Sequence, residues 1–298
     1  MNDVFDAHVH IIDPRFPLVE NHGYLPEPFT VPDYRSRVAA LEGLSVDGGA
    51  VVTASYQGTD QEYLKTALAE LGPGWVGVTA LGDDVSDNEI VDLDALGVRA
   101  VRFNLRRGAT DLRQLADLAN RAFDLVGWHA EFYVDATLLL SLEPVFAKLP
   151  AVSIDHLGMS TRGLPYLLNL VDRGVRVKAT GFGRTTISDV GDVLRQIHAV
   201  NPQALMFGTD LPGTRARRAF EIHDLDVIAD AVGDDLPAVM GGNARAWYRC
   251  ERASAYPKTT AHTKTTVHTK TTAPNQSPAA TNAPNNSTTM DNPTAFTA

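Results

Sequence analysis

The chain has 298 residues, a net charge of −10 and a single cysteine, Cys250. The acidic balance argues against nucleic acid or an anionic membrane as a partner, although local arginines can still bind a small anion. One cysteine excludes an intramolecular disulfide, and with no secretory signal and no apolar run of about 18 residues the sequence predicts a cytoplasmic protein without a membrane span.

The last 48 residues differ in composition from the rest of the chain. They are rich in Thr, Ala, Pro and Asn, and a Lys-Thr-Thr triplet recurs at residues 258, 264 and 270. Their few apolar residues follow neither helical nor strand spacing, so this segment buries too little surface to offset its chain entropy. We therefore predict a folded domain over residues 1–250, with a net charge of −12, and a disordered tail over residues 251–298.

Short strand patterns alternate with helical patterns through the folded domain. There are eight strand patterns, and they cover residues 4–11, 50–54, 76–81, 98–105, 129–134, 152–156, 175–180 and 204–208. Apolar residues at helical spacing cover residues 60–71, 111–126 and 188–199, and a capping pattern of Ser86 with Glu89 begins a short helix. Eight strand–helix units in about 250 residues predict an α/β fold, a (β/α)₈ TIM-like barrel.

A doubly wound open sheet is the main alternative for this alternation. Such sheets usually carry a glycine-rich phosphate loop after the first strand, which is missing here, and the pair Gly181 and Gly183 is too short to replace it. The proline-rich segment 13–32 joins the first strand to its helix instead. In a barrel this segment lies on the catalytic face, where we expect a lid or a substrate wall.

His8 and His10 flank one apolar residue in the first strand pattern. Because side chains alternate along a strand, both imidazoles should point the same way, about 7 Å apart. Such a pair can share a water molecule, a metal ion or a carbonyl group, but two exposed histidines would give the same pattern. The residues of the later strand patterns are therefore needed to distinguish a shared site from two exposed histidines.

Polar side chains recur at the carboxyl ends of the later strands. If the apolar residues of each strand face the helices, Arg102, Tyr133 and Lys178 point into the barrel. His156 ends the sixth strand pattern, and Asp210 follows the eighth. Packing favours Val, Ile and Leu inside a barrel, whereas catalytic residues come from the carboxyl ends of the strands. Together with the two histidines of the first strand, these residues are predicted to form one site.

Five segments, in order, match a known family. They are Asp-Ala-His-Val-His at 6–10, Gly-Val-Arg-Ala-Val-Arg-Phe-Asn at 97–104, Ile-Asp-His-Leu-Gly at 154–158, Val-Lys-Ala-Thr-Gly at 177–181 and Phe-Gly-Thr-Asp-Leu-Pro at 207–212. The chain thereby resembles the amidohydrolase superfamily, in particular the amidohydrolase-2 branch, which contains 2-pyrone-4,6-dicarboxylate lactonase and sugar lactonases. The resemblance covers about residues 3–249 and implies a barrel that hydrolyses a C–O or C–N bond.

The resemblance implies a hydrolase that opens a small carboxylated lactone, such as 2-pyrone-4,6-dicarboxylate or a sugar-acid lactone. Asp210 would act as the general base toward water, and the imidazoles of His8, His10 and His156 would polarise the lactone carbonyl. Arginines near strand four and after strand seven bind the dicarboxylate in the pyrone lactonase. The expected substrate-binding residues are therefore Arg102, Arg107, Arg184, Tyr133 and Lys178, with Arg106 as a further candidate.

The resemblance also bears on metal binding. Superfamily members with two metal ions usually carry histidines on both strands five and six, whereas strand five offers Tyr133 at the corresponding end. The lactonase branch includes members that work without a metal, so we expect that no cofactor is required. The alternative is one divalent ion, zinc or manganese, held by His8, His10, His156 and Asp210.

Two other functions stay open at this point. A metal-dependent decarboxylase of an aromatic or unsaturated carboxylic acid would use a similar set of histidines and a terminal aspartate. A non-catalytic barrel that binds a ligand is disfavoured by Asp210, because this carboxylate would repel an anionic ligand. The expected partner is a small anionic lactone or carboxylic acid, and the sequence assigns neither the particular substrate nor the oligomeric state.

Overall fold

Eight parallel strands form the centre of the fold. The computed structural model describes residues 3–107 and 111–250, and within them the strands follow one another around the sheet in chain order. The strands are β1 (Val4–Val9), β2 (Val46–Val52), β3 (Trp75–Thr79), β4 (Val98–Asn104), β5 (His129–Tyr133), β6 (Val152–Ile154), β7 (Arg176–Ala179) and β8 (Leu205–Phe207). The predicted (β/α)₈ barrel is confirmed, because a doubly wound sheet would break the chain order of its strands.

Helices connect the strands and surround them. They are α1 (Val31–Ala39), α2 (Glu62–Leu71), α3 (Asp87–Ala95), α4 (Leu112–Val126), α5 (Leu139–Phe146), α6 (Leu164–Asp172), α7 (Val190–Val200), α8 (Asp224–Val232) and α9 (Asn243–Trp247). No helix within residues 3–107 and 111–250 combines the length and apolarity needed to cross a bilayer. The predicted disordered tail, residues 251–298, lies outside the described residues.

The α4 helix illustrates how the local sequence sets these elements. Its buried residues include Leu115, Leu118 and Ala122, which recur at helical spacing and turn one apolar face toward the strands. Asp111 caps the amino end by accepting hydrogen bonds from main-chain amides of the first turn. Gly127 ends the helix in the left-handed conformation, at a φ of 71°, which glycine adopts without steric cost.

The barrel closes between β1 and the segment that follows β8. The main-chain amide of Asp210 donates a hydrogen bond of 2.8 Å to the carbonyl of His8, and the amide of His10 donates one of 2.9 Å to the carbonyl of Leu211. Closure therefore places His8 on β1 and His10, the residue after β1, beside Asp210, although about 200 residues separate them in the sequence.

The barrel interior changes from apolar to charged along its axis. Side chains such as Ala50, Val78 and Met206 fill the amino-terminal part, together with Phe5 and Tyr248. The ring centroids of Phe5 and Tyr248 lie 5.7 Å apart in a stacked arrangement, so the residue that follows α9 helps to fill this part of the interior. Charged side chains replace this packing toward the carboxyl ends of the strands, where barrels place their sites.

Candidate active site

His8 and His10 point toward one carboxylate at the carboxyl end of the barrel. Both histidines are buried. His8 lies in the stretch between Asp6 and Val9, where the pairing of β1 with β2 is irregular. The Nε2 atoms of His8 and His10 lie 3.9 Å and 3.7 Å from Asp210 Oδ1. These separations exceed a hydrogen bond and leave room for one bridging atom between the imidazoles and the carboxylate.

His156 reaches the same place because its strand ends early. Strict alternation after Ile154, the last residue of β6, would turn His156 toward the helices. Residues 156–159 instead all have positive φ, 52° at His156 and 68° at Gly158, which is typical of strained functional segments. The ring centroid of His156 lies 4.7 Å from that of His8, and its Nδ1 lies 2.6 Å from Thr180 Oγ1, which leaves Nε2 for another partner.

Asp210 also lies in a left-handed segment, at a φ of 57°. Arg184 Nε donates a hydrogen bond of 2.6 Å to Asp210 Oδ2. The other oxygen, Oδ1, is buried and lacks a hydrogen-bond partner within the described residues, and so does Nε2 of His8. Because buried polar atoms are rarely left unpaired, these two atoms indicate that a further group belongs between them.

Burial makes the imidazoles poor bases. It lowers the pKa of His10 to about 3, and the nearby Arg102 adds to this effect. Burial also lowers the pKa of His8 and of His156 well below the usual range, with further contributions from the ammonium of Lys178 and the guanidinium of Arg184, respectively. The three rings are therefore neutral near pH 7, the form that has a free lone pair for a metal ion or a proton.

The pKa of Asp210 moves in the opposite direction. Burial raises it to about 6, even though the ion pair with Arg184 acts to lower it. The carboxylate is thus mostly ionised at neutral pH but close enough to titration to exchange a proton, as a general base requires.

Four charged side chains lie beneath His8, and we call them the inner ionic cluster: Arg102, Glu131, Asp155 and Lys178. Arg102 Nη2 donates a hydrogen bond of 2.7 Å to Asp155 Oδ2, and Lys178 Nζ lies 2.6 Å from Glu131 Oε2. The cluster contains two cations and two carboxylates, none with a side chain more than 4% exposed. Lys178, which we expected to bind substrate, lies within this cluster rather than in contact with the cleft.

A basic cleft opens above the imidazoles. Arg107, Arg184 and Arg215 line it, together with Tyr133. Burial lowers the pKa of Arg215, and the like charge of the nearby Arg107 adds to this effect. Arg102 also lines the cleft, but its nitrogens already donate to Asp155 and to a main-chain carbonyl. The arrangement favours an anionic ligand.

The segment between β1 and α1 contacts several residues that line this cleft. The main-chain amide of Val19 donates a hydrogen bond of 2.7 Å to the carbonyl of Tyr56, and Asn21 Nδ2 donates one of 3.4 Å to the carbonyl of Arg107. Arg215 Nη1 in turn donates to Asn21 Oδ1 at 3.3 Å. Segment 13–32 thus packs against Tyr56, Arg107 and Arg215, and the lid or substrate wall expected from it stays a prediction.

The structure brings most of the predicted site residues together. The imidazoles and the carboxylate form one group, and Arg184 holds the carboxylate; Tyr133, Arg102 and Arg107 line the cleft. Arg106 pairs with Asp135 at 3.1 Å instead. The individual roles of these residues stay predictions.

Residues of the site that were missed in the sequence include Asp155 and Arg215. Asp155 directly follows β6 and points inward by simple alternation, but it was overlooked beside the more conspicuous His156. Arg215 lies in an irregular segment at a φ of 60°, where no periodic pattern predicts the direction of a side chain.

Two groups of metal-ligating side chains occur within residues 3–107 and 111–250, one of His8, His156 and Asp210, and one of His8, Glu131 and Asp155. In each group the ligand atoms lie within 4.8 Å of one another. The first group fits a divalent ion, because it includes the two unpaired atoms on His8 and Asp210 and lies beside Nε2 of His10. Imidazole nitrogens with one carboxylate are a common zinc ligand set.

The chain is similar to hydrolases of two anionic lactones. It is 32% identical over 160 residues to a 2-pyrone-4,6-dicarboxylate hydrolase from Comamonas testosteroni, and this alignment spans 51% of each chain. It is 29% identical over 234 residues to a 4-sulfomuconolactone hydrolase from Rhizobium radiobacter, across 70% of this chain and 75% of that one. The chain thus spans about half the length of the first relative and three quarters of the second.

Solved structures support the fold. A crystal structure of an Agrobacterium tumefaciens protein in its apo form has a TM-score of 0.75 and 21% identity, and it covers 85% of this chain and 98% of that one. This likeness concerns the barrel alone.

The expectation that no cofactor is required is wrong. Members of the amidohydrolase superfamily are generally metal-dependent, and the described residues contain two groups of suitable ligands around His8. The presence of Tyr133 instead of a histidine at the carboxyl end of strand five was a misleading signal, because glutamate and aspartate can also ligate a metal ion. The family model for amidohydrolases matches residues 5–250, which is the whole barrel, and the chain therefore belongs to the amidohydrolase family.

Proposed function

We propose that this amidohydrolase opens a small lactone that carries one or more carboxylates. The observation that carries the proposal is the position of a basic cleft directly above three neutral imidazoles and one carboxylate. Two relatives are named as hydrolases of anionic lactones, which supports the same substrate class. Neither name describes a decarboxylase, so that alternative is not favoured.

The cleft would orient the substrate through its anionic groups. Guanidinium groups bind a carboxylate through two parallel hydrogen bonds, and Arg107 and Arg215, two cations that repel each other, both line the cleft. A substrate carboxylate between them would relieve this repulsion. The lactone ring would then extend inward, toward Asp210.

Asp210 would transfer the protons of the reaction. Water adds to the lactone carbonyl carbon while Asp210 accepts a proton from it; the ring C–O bond then breaks, and the same proton passes to the departing ring oxygen. The products are a carboxylic acid and a hydroxyl group on one open chain, so one water molecule is consumed. Arg184 holds Oδ2 of Asp210 and thereby leaves Oδ1 directed toward the imidazoles.

A divalent ion bound by His8, His10, His156 and Asp210 would polarise the carbonyl and lower the pKa of a water molecule. The chain contributes by keeping the rings neutral and fixed in orientation. His10 Nδ1 donates to the carbonyl of Val52 at 2.7 Å, so its Nε2 presents a lone pair to the site.

A panel of lactones tests the proposal. We expect kcat/KM for 2-pyrone-4,6-dicarboxylate or 4-sulfomuconolactone to exceed that for an uncharged six-membered lactone by about 100-fold, since hydrogen bonds to charged groups contribute about 1.5–3 kcal/mol. Acid release, followed in a pH-stat, measures the reaction. Equal rates across the panel, or bicarbonate release from an unsaturated acid without lactone opening, would contradict it.

A further inference from the structure

A buried ammonium group lies on the inner side of His8, opposite Asp210. Lys178 Nζ is 2.6 Å from Glu131 Oε2, 3.2 Å from His8 Nδ1 and 3.7 Å from Asp155 Oδ1. The side chains of all four residues are 0% exposed. The ammonium therefore lies among the ligand atoms of the second metal-ligating group, that of His8, Glu131 and Asp155.

His8 can serve only one of the two groups, because a neutral imidazole has a single lone pair. Its Nδ1 lies 3.3 Å from Asp155 Oδ1, a buried oxygen without a hydrogen-bond partner within the described residues. Nδ1 also lies 3.2 Å from the Lys178 ammonium, which can only donate a hydrogen bond, so the two neighbours compete for this nitrogen. Metal binding at Nε2, which faces Asp210, requires the tautomer with the proton on Nδ1; this proton pairs with Asp155 Oδ1, and the ammonium donates to Glu131 instead. This is the carboxylate–histidine–metal arrangement found behind many metal ligands.

The charges of the inner ionic cluster lead to the same conclusion. The charges of Glu131 and Asp155 are balanced by Lys178 and Arg102, the latter 2.7 Å from Asp155, although Glu131 Oε1 and Asp155 Oδ1 have no hydrogen-bond partner within the described residues. A divalent ion added here would bring two further positive charges into a region closed to solvent, at a large desolvation cost. On the other side of His8, the cleft gives water and anionic ligands access to the first group.

We propose that the barrel binds a single divalent cation, on the Asp210 side of His8, and that Lys178 permanently occupies the place of a second cation on the Glu131 side. Lys178 is thus a positioning residue, since it acts through His8 and Glu131 rather than through the substrate. The proposal concerns metal binding alone, so it can fail or succeed independently of lactone hydrolysis.

Zinc stoichiometry tests the proposal without any substrate. Metal-stripped wild-type protein is titrated with zinc by calorimetry, and bound zinc is counted by atomic emission after desalting. We expect one equivalent for the wild type, two for Lys178→Ala, which frees both space and ligands, and one again for the Lys178→Ala/Glu131→Gln double variant. Zero or two equivalents on the wild type, or one on a folded Lys178→Ala protein, would overturn the proposal.

A second comparison decides the matter if Lys178→Ala does not fold. Asp210→Asn should weaken zinc binding by about 100-fold or more because it removes the charge of a direct ligand, whereas Glu131→Gln, which acts only through Lys178 and His8, should weaken it by about tenfold, the lower end for groups behind the ligands. Equal losses of affinity in the two variants would show that Glu131 ligates the metal, and the assignment of Lys178 would be wrong. A clearly larger loss in Asp210→Asn supports it.

Discussion

Asp6 on β1 accepts a hydrogen bond of 2.6 Å from the hydroxyl of Thr209, the residue that precedes Asp210. The same carboxylate accepts hydrogen bonds from the Thr209 amide at 2.8 Å and from the hydroxyl of Tyr34 on α1 at 3.0 Å. One buried side chain thus joins the first strand, the segment after the last strand and the first helix. It holds together the two parts of the barrel that supply His8 and Asp210.

We expect Thr209→Val to lower the free energy of unfolding by about 1.5–3 kcal/mol, because it removes a hydrogen bond to a buried charged group. Urea denaturation followed by circular dichroism measures the change. Thr209→Ser keeps the hydroxyl and is the matched control, which should lose much less. Equal stability of the Val and Ser variants would show that the hydroxyl contributes little to closure.

Asp210→Asn should lower kcat for lactone hydrolysis by about 10²- to 10⁴-fold, since the amide cannot accept the proton from water. The fold should persist, because the main-chain hydrogen bonds of residue 210 do not involve its side chain. Steady-state kinetics and circular dichroism test both parts. Asp189→Asn is the control, because Asn caps a helix about as well as the native Asp189 at the start of α7. An active Asp210→Asn enzyme would rule out Asp210 as the base.

Metal removal should abolish activity. Dialysis against a chelator is expected to reduce lactone hydrolysis to background, and zinc or manganese should restore it, because the imidazoles of the site are neutral and cannot by themselves offer a full positive charge to the carbonyl oxygen. The measurement is activity against equivalents of added metal. Full activity in protein shown by atomic emission to be free of metal would contradict this expectation.

Arg107→Met should raise KM for a dicarboxylate lactone by about 10- to 100-fold with a smaller change in kcat, because the guanidinium binds the substrate and its transition state alike. An uncharged lactone should be hydrolysed by this variant at the wild-type rate. Arg113→Met, on the exposed face of α4, is the control for loss of one positive charge. If both variants change KM equally, the effect is one of net charge rather than of a specific contact.

Acid should destabilise the metal-free protein. The unfolded chain protonates its histidines near pH 6.5, whereas burial lowers the pKa of folded His10 to about 3, so stability is lost as the pH falls below 6.5. Asp210 opposes this trend, because its pKa is raised to about 6 and the folded state then binds the additional proton. His10→Gln should reduce the slope of stability against pH by about 1.4 kcal/mol per pH unit between pH 6 and pH 4. Urea denaturation at several pH values measures the slope, and an unchanged slope would contradict the burial of a neutral His10.

The strands and the inward direction of most site residues could be predicted from the sequence. Alternation of apolar and polar residues places Arg102, Glu131 and Lys178 inside the barrel, as the structure does. His156 reaches the site for a different reason, because strand alternation points it outward and only the left-handed turn after β6 brings it back. A turn of this kind depends on tertiary contacts, so strand periodicity contains no signal for it.

The pairing of charges inside the barrel could not be predicted from the sequence either. Alternation shows that Lys178 points inward, but not that the carboxylates of Glu131 and Asp155 lie within 4 Å of its ammonium. Which inward side chains meet depends on the stagger between neighbouring strands, where Arg102 pairs with Glu131 and Lys178 with Met206. A lysine beneath the imidazoles and a lysine in the cleft therefore give the same strand pattern, and the sequence does not distinguish them.

The seam between β1 and the residues after β8 has a consequence for the order of assembly. A chain synthesised only as far as β7 contains all three histidines but lacks Asp210, so the complete group of imidazoles and carboxylate forms only after β8 has joined the barrel. The main-chain amide of Asp210 is hydrogen-bonded across this seam, so its hydrogen exchange reports directly on whether the seam is closed. Its hydrogen-exchange rate should rise in step with inactivation under mild denaturant, before the amides of β3 to β5, on the opposite side of the barrel, begin to exchange.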